Sequence, residues 1–420
     1  MARLLLPVAL LVTAAALPAP AVADDKAPAS PGEFFFRPGD RVVFLGDSIT
    51  EQYQYSTYVE LYLTTRFPNG KLSFLNAGIG GDTAGGGAGR FQSHVLDEKP
   101  TAVTINFGMN DGGYGKFDAN RAKQFAERTE AMLKMAKDAG VRVALLSPNA
   151  VDKRNKSNGA EYVVTQKEFY APLAGLAGKY GFAFVDQFAI TKAATDRMEQ
   201  DDPKAKTAVP YYDGFHTSPP GGLLMAHAIL TGLKAPALVS EVELTAAGGI
   251  VAKGALVTEL KAGKDGVTFT RLDDALPVPV QKDWLSMLPY TNGLNDLNRY
   301  GLKVTGLAEG DYAVKVDGKD VARYTAKQLA DGVNLGTVTA GPVWEQGNAV
   351  LKAINDKNRI VDGRFRGILR GQDPYWGTPA GQKRRAAELA TRRAEADEAQ
   401  AEVYKLAKPV AHRWEVLPAQ

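Results

Sequence analysis

"RVVFLGDSIT", residues 41–50, runs from a mostly apolar stretch straight into Gly46-Asp47-Ser48. A short apolar run closed by glycine reads as a strand buried on both faces. Similar runs recur at Lys71–Asn76, Ala102–Phe107, Val141–Leu146 and Phe182–Val185, with helical patterns between them at Tyr58–Phe67, Ala119–Asp138 and Val164–Tyr180. From about Pro38 to Leu233 the alternation of strand and helix predicts a parallel sheet with helices on both faces and a ligand crevice at the carboxyl ends of the strands. Ser48 stands at that edge. It either helps Asp47 cap the next helix or turns its hydroxyl to the crevice as a nucleophile.

A nucleophilic serine needs a base, and the chain has four histidines. His227 lies in the apolar helical run "GLLMAHAIL", which suits a packed or capping role. His94 flanks a polar helix and His412 is close to the end of the chain. His216 stands in the Pro/Gly-rich loop "YYDGFHTSPPGG" with Asp213 three residues earlier. One turn at that spacing puts the carboxylate against Nδ1, which fixes the tautomer that leaves Nε2 free to take a proton. Donors for a developing oxyanion are on offer from "NAGIGGDT" after the second strand and "NFGMND" after the third. There the backbone N–H of Gly81 and the side-chain amide of Asn110 join the N–H of Ser48. The glycines of "GGDTAGGGAGR" fit neither the dinucleotide nor the P-loop spacing.

These blocks, "GDSIT" with Ser48, "NAGIGGDT" with Gly81, "GMND" with Asn110 and "DGFH" with Asp213 and His216, resemble in order and placement those of the SGNH (GDSL-type) hydrolase superfamily. The resemblance covers the stretch up to about residue 235. It implies Ser48 as nucleophile, His216 as base, Asp213 as its orienter, and Ser48, Gly81 and Asn110 as the oxyanion hole. It further implies a flavodoxin-like three-layer α/β domain and the hydrolysis of esters without metal or cofactor.

Composition narrows the partners. The 50 basic and 47 acidic residues are interspersed, so there is no basic stripe for nucleic acid. The absence of cysteine removes disulfides, cysteine nucleophiles and thiolate metal sites. Arg3, the apolar run Leu4–Leu17 and Ala21-Val22-Ala23 read as an export signal over 1–23, which predicts a secreted or periplasmic protein with no membrane span. The expected organisation continues with a linker at 24–37, a catalytic domain at 38–235, a β-rich region at 236–345 and a helical region at 346–420. Asp265-Gly266 and Asp317-Gly318 mark hairpins of a small antiparallel unit, and the alanine- and charge-rich tail reads as a solvated helix with pairs such as Glu388–Arg392.

The substrate expected from these features is a small-molecule or carbohydrate ester, most simply an acetyl ester of a sugar. A lipid or aryl carboxylesterase uses the same machinery, and a carbohydrate-binding protein on an esterase scaffold is a third reading. Tyr53 and Tyr55 either stack on a sugar or pack under the helix after Ser48. Trp284, Trp344, Trp376 and Trp414 form either a stacking surface or ordinary core.

Overall fold

The computed structural model describes residues 33–156, 158–371 and 373–419, so the expected export signal and most of the linker lie outside the described residues. Strands β1 (Arg41–Gly46), β2 (Ser73–Gly78), β3 (Ala102–Asn106), β4 (Arg142–Leu146) and β5 (Ala183–Val185) form one parallel sheet in the order β2-β1-β3-β4-β5. This is the flavodoxin-like winding. Helices α1 (Ser48–Glu51), α2 (Gln54–Arg66), α3 (Ala84–His94), α4 (Ala119–Asp138), α5 (Gly159–Tyr170), α6 (Leu173–Tyr180), α7 (Gln187–Asp201) and α8 (Pro219–Gly232) connect and flank it. Alternate side chains of a strand point to opposite faces. Val42 and Phe44 accordingly pack with α2 and α8 on one side, and Val43 and Leu45 pack with α3 and α4 on the other.

One helix expected over Val164–Tyr180 is two, α5 and α6. The break falls at Ala171-Pro172, where proline has no N–H to continue the ladder and disfavours helical geometry in the residue before it.

Beyond residue 235 the β region is larger than expected. Strands β6 (Leu238–Thr245), β7 (Ile250–Lys253), β8 (Ala255–Gly263), β9 (Gly266–Asp273), β10 (Arg299–Thr305), β11 (Asp311–Val316) and β12 (Lys319–Thr325) are followed by α9 (Ala326–Asp331) and β13 (Val333–Asn334). Then come α10 (Pro342–Asp362), a π-helical stretch at Gly363–Leu369, α11 (Pro379–Leu406) and a last strand, β14 (His412–Pro418). They build two sheets, β13-β10-β6-β7 and β12-β11-β14-β9-β8. Asp317-Gly318 makes a hairpin turn with φ of 49° and 78°, and the other hairpin turns at Lys264-Asp265, because Gly266 already pairs with Gly263. The segment assigned to a helical region at 346–420 therefore ends in a strand that enters the middle of a sheet. Its alternation of buried His412, Trp414 and Val416 with more exposed neighbours is the period of a half-buried strand.

The tail helix α11 is mostly exposed, as expected of a charge-rich helix, but Glu388 pairs back to Arg384 at 2.8 Å, and not forward to Arg392. Its end is docked, since the Leu72 N–H donates to Tyr404 Oη at 2.9 Å. Trp284 and Trp414 are buried, and the Trp344 indole N–H donates to the Val280 carbonyl, so these tryptophans serve packing. The buried apolar cluster is continuous from α2 and α8 to Trp284, Val350 and Ile354 of the later regions. Lys357 of α10 places its ammonium 2.6 and 2.8 Å from the carboxylate oxygens of Glu60 on α2, with both side chains almost wholly buried. Burial pushes the carboxyl up and the ammonium down, so each charge persists only through the other.

A second buried carboxyl lies where the sheet meets α1. Asp47 caps that helix by accepting from the Ile49 N–H at 3.0 Å. Burial pushes its pKa up to about 7, the cap hydrogen bond pulls it down, and Asp111 and Asp82 push it further up.

Two stability predictions follow from these buried charges. Lys357→Met leaves Glu60 uncompensated and should cost about 3–5 kcal/mol, whereas Glu60→Leu with Lys357→Met should regain most of it. Denaturant unfolding measures both, and a single-variant loss below about 1 kcal/mol would contradict the tie. Asp47 holds a proton in the folded chain that the unfolded chain releases between about pH 4 and 7, so folding weakens as pH rises through that window. Asp47→Asn keeps the cap acceptor and should remove up to roughly 4 kcal/mol of that pH dependence; an unchanged difference in stability between pH 4 and pH 8 would contradict it.

Candidate active site

Ser48 is the first residue of α1, at the carboxyl end of β1. His216 and Asp213 lie on the loop between α7 and α8, closed by a bridge between Tyr211 and Thr217. Asp213 Oδ1 accepts from the backbone N–H groups of Phe215 and His216 at 3.2 and 2.8 Å, and Oδ2 lies 2.6 Å from His216 Nδ1. His216 Nε2 in turn lies 2.8 Å from Ser48 Oγ. Burial pushes the Asp213 carboxyl up, but the imidazole and the two backbone donors outweigh it and hold the carboxyl below its ordinary range. Asp213 is thus a stable anion against one side of the ring. The other ring nitrogen is left to exchange a proton with the serine hydroxyl.

The remaining expected residues sit on the neighbouring strand ends. Gly81 lies on the loop between β2 and α3 with φ of +74°, a left-handed conformation in which a side chain would be strained. Asn110 follows β3, and its Nδ2 donates to the Asp82 carbonyl at 2.8 Å, which ties its loop to that of Gly81. Its Oδ1 accepts from Tyr114 Oη at 2.7 Å. With the carbonyl oxygen so engaged, the amide orientation is fixed and its second N–H remains available to a ligand.

Several residues that shape this edge escaped the sequence reading. Gln52 Oε1 accepts from both the N–H and the hydroxyl of Thr217 at 3.0 Å, fastening the end of α1 to the histidine loop. Tyr212 stacks on the imidazole, 5.9 Å between centroids and 15° between planes, and the residue is 60% exposed. Arg90 pairs with Asp82 at 2.8 Å and donates to the carbonyls of Ala77 and Gly46, clasping the ends of β2 and β1 from below. A lone glutamine or arginine carries no spacing signal, so only the fold brings these to the site. Tyr114 was hidden for the same reason, although its left-handed φ of 57° sets its hydroxyl on Asn110.

The other histidines are accounted for elsewhere. His227 pairs with Asp296 at 2.9 Å, His412 with Asp317 at 2.7 Å, and His94 lies edge-on to Phe365. Tyr55 is buried with Oη 2.7 Å from Thr50 Oγ1 and so packs under the helix, while Tyr53 is partly buried with its hydroxyl turned inward. No group of three or more metal-ligating side chains is present among the described residues.

Residues 44–222 match the model of the GDSL-like lipase/acylhydrolase family. The chain is 32% identical over 168 residues to the uncharacterized lipoprotein YqeF of Bacillus subtilis (strain 168), a stretch covering 38% of this chain and 67% of that protein. It is 30% identical over 134 residues to the esterase TesA of Pseudomonas aeruginosa, covering 30% of this chain and 64% of that one. A solved structure of a gut microbial diltiazem-metabolizing enzyme is similar with a TM-score of 0.77 at 24% identity, over 92% of this chain and 99% of the other. That likeness extends the shared fold well beyond the catalytic stretch. With the family model laid over Ser48, Gly81 and Asn110 after the first three strands and over Asp213 and His216 on the loop between α7 and α8, the chain belongs to the GDSL-like lipase/acylhydrolase family of the SGNH superfamily and is an ester hydrolase.

Proposed function

We propose that the protein is an exported serine hydrolase that removes small acyl groups, acetyl foremost, from carbohydrate. The observation that carries the reading is the unbroken contact chain from Asp213 through His216 to Ser48 Oγ. His216 Nε2 takes the hydroxyl proton as Ser48 Oγ attacks the ester carbonyl, and Asp213 stabilises the imidazolium that forms. The negative charge on the carbonyl oxygen is met by the N–H groups of Ser48 and Gly81 and by Asn110 Nδ2. Collapse of the tetrahedral intermediate passes the proton from His216 to the leaving alcohol and leaves an acyl-serine. Water, deprotonated by the same imidazole, then releases the acid. Each step uses groups of this chain, so the mechanism calls for no metal.

The exposed Tyr212 beside His216 supports a carbohydrate leaving group, because an exposed aromatic ring next to the base offers a face on which a sugar ring can stack. Export is supported by the amino-terminal pattern of positive, apolar and small residues. The similarity to a lipoprotein agrees with it. No helix among the described residues is long and apolar enough to cross a membrane. A lipid or aryl carboxylesterase on the same residues is the second reading, favoured by the similarity to the esterase TesA.

Because such residues act as a unit, Ser48→Ala and His216→Ala should each abolish nearly all turnover, and the double variant should be little worse than either. Additive losses in folded variants would remove the assignment. An open site gains little from added methylenes, whereas an apolar tunnel gains up to about 0.8 kcal/mol for each one buried. kcat/KM on one leaving group should therefore stay flat or fall from acetyl to longer acyl chains, with or without chelator. A steady climb with chain length would move the choice to the lipid esterase.

A further inference from the structure

Nothing in the family match reaches past residue 222, yet the C-terminal region touches the edge that carries Ser48. The π-helical stretch Gly363–Leu369 extends α10, and from it Arg366 forms an ion pair with Glu51, the last residue of α1. Arg366 Nη2 also donates to the Glu51 carbonyl at 3.3 Å, and Asp362 one turn earlier holds the same guanidinium.

Glu51 is wedged between the nucleophile helix and the loop that leads to Gly81. Its N–H donates to the Asp47 carbonyl at 2.9 Å, which seats it in the turn that begins with Ser48. A Cβ on Gly78 would fall 2.3 Å from Glu51 N, and one on Gly80 would fall 2.5 Å from Glu51 Oε2. One carboxylate oxygen therefore meets Arg366 while the other lies against the backbone immediately before Gly81. Three further carboxylates, Asp47, Asp82 and Asp111, act on one another at the same edge, and of these Asp82 is the one held by an arginine, Arg90. Without a cation of its own, the half-buried Glu51 carboxylate would turn out to water and leave the loop unsupported.

We propose that Arg366 is a positioning residue for ester hydrolysis: by holding Glu51 against the Gly78–Gly81 loop, the C-terminal region sets the spacing between the nucleophile helix and the oxyanion donors. The inference rests on the roles assigned above to Ser48 and Gly81. It makes the later half of the chain part of the catalytic architecture. A shift of about 1 Å in such spacing is enough to cost on the order of 100-fold in rate.

The test is kinetics of the full chain on an activated acetyl ester, with fluorophosphonate labelling of Ser48 as a separate check on the nucleophile. Arg366→Met should lower kcat about 10- to 100-fold with KM changed less than about twofold, the pattern of a lost transition-state interaction. Arg366→Lys, which keeps the charge, should recover most of that loss. Glu51→Asp keeps the charge but withdraws it from Gly80, so it should show the same kcat defect even if Arg366→Met proves insoluble. The pair Glu51→Asp with Arg366→Met should be no worse than the weaker single variant. Unchanged kcat in these variants while wild-type Ser48 is labelled would overturn the positioning role alone. A rise in KM without loss of kcat would overturn it too, by making Arg366 a substrate contact. Failure to label wild-type Ser48 would instead overturn the nucleophile on which the inference stands.

Discussion

The 2.8 Å contact between Ser48 Oγ and His216 Nε2 joins positions 168 residues apart in the chain. A hydrogen bond of that kind is made only if two loops are each held to a fraction of an ångström, and much of the carboxyl edge serves that demand. Asp213 uses both of its oxygens on the histidine loop. Gln52 fastens that loop to α1, Asp47 caps α1 from a buried position, and Arg90 clasps the ends of β1 and β2. The cost is visible in Asp47, a carboxyl whose burial raises its pKa to about 7 in order to seat the turn before the serine. Local stability is given up where the chemistry needs a fixed geometry.

The second half of the chain belongs to the same physical problem. Its apolar side chains join the core on the α2 and α8 side of the sheet, and Lys357 reaches Glu60 through that core. Arg66 of α2 donates to the carbonyls of Pro236, Leu238 and Leu297, binding the first β strands to the catalytic unit at the point where the chain leaves it. A region tied by buried charges and a continuous core does not move as a free module. This agrees with a fold shared over 92% of the chain with the diltiazem-metabolizing enzyme at 24% identity.

How much of this was legible beforehand depends on whether the signal was periodic. The five strands announced themselves because a strand buried on both faces is a short apolar run, and three of the four motif blocks fell at their ends, the fourth on the loop between α7 and α8. The contact of Asp213 with His216 was legible as a local Asp-x-x-His spacing, whereas that of Ser48 with His216, 168 residues apart, followed from the order of the motif blocks. Gln52 and Arg366 were not legible, because each acts through a partner distant in sequence, and Tyr114, although only four residues from Asn110, repeats no pattern that marks it. The last strand, His412–Pro418, was hidden by the long charged helix before it, whose composition dominates any window that contains both. Tyr53 and Tyr55 were ambiguous in sequence because aromatic side chains near a site pack or bind with the same residue type. Burial decides between these, and burial is a property of the fold.

The central claim is that Ser48 carries the acyl group between the two halves of the reaction. It is tested most directly by acid-quenching the full chain during the first turnovers of an activated acetyl ester and locating the acyl group by peptide mass spectrometry. The account predicts a burst of released alcohol approaching one equivalent per chain, with the acetyl group on the peptide that contains Ser48 and on no other. Turnover with neither a burst nor an acylated peptide, or an acyl group found on a different side chain, would contradict it.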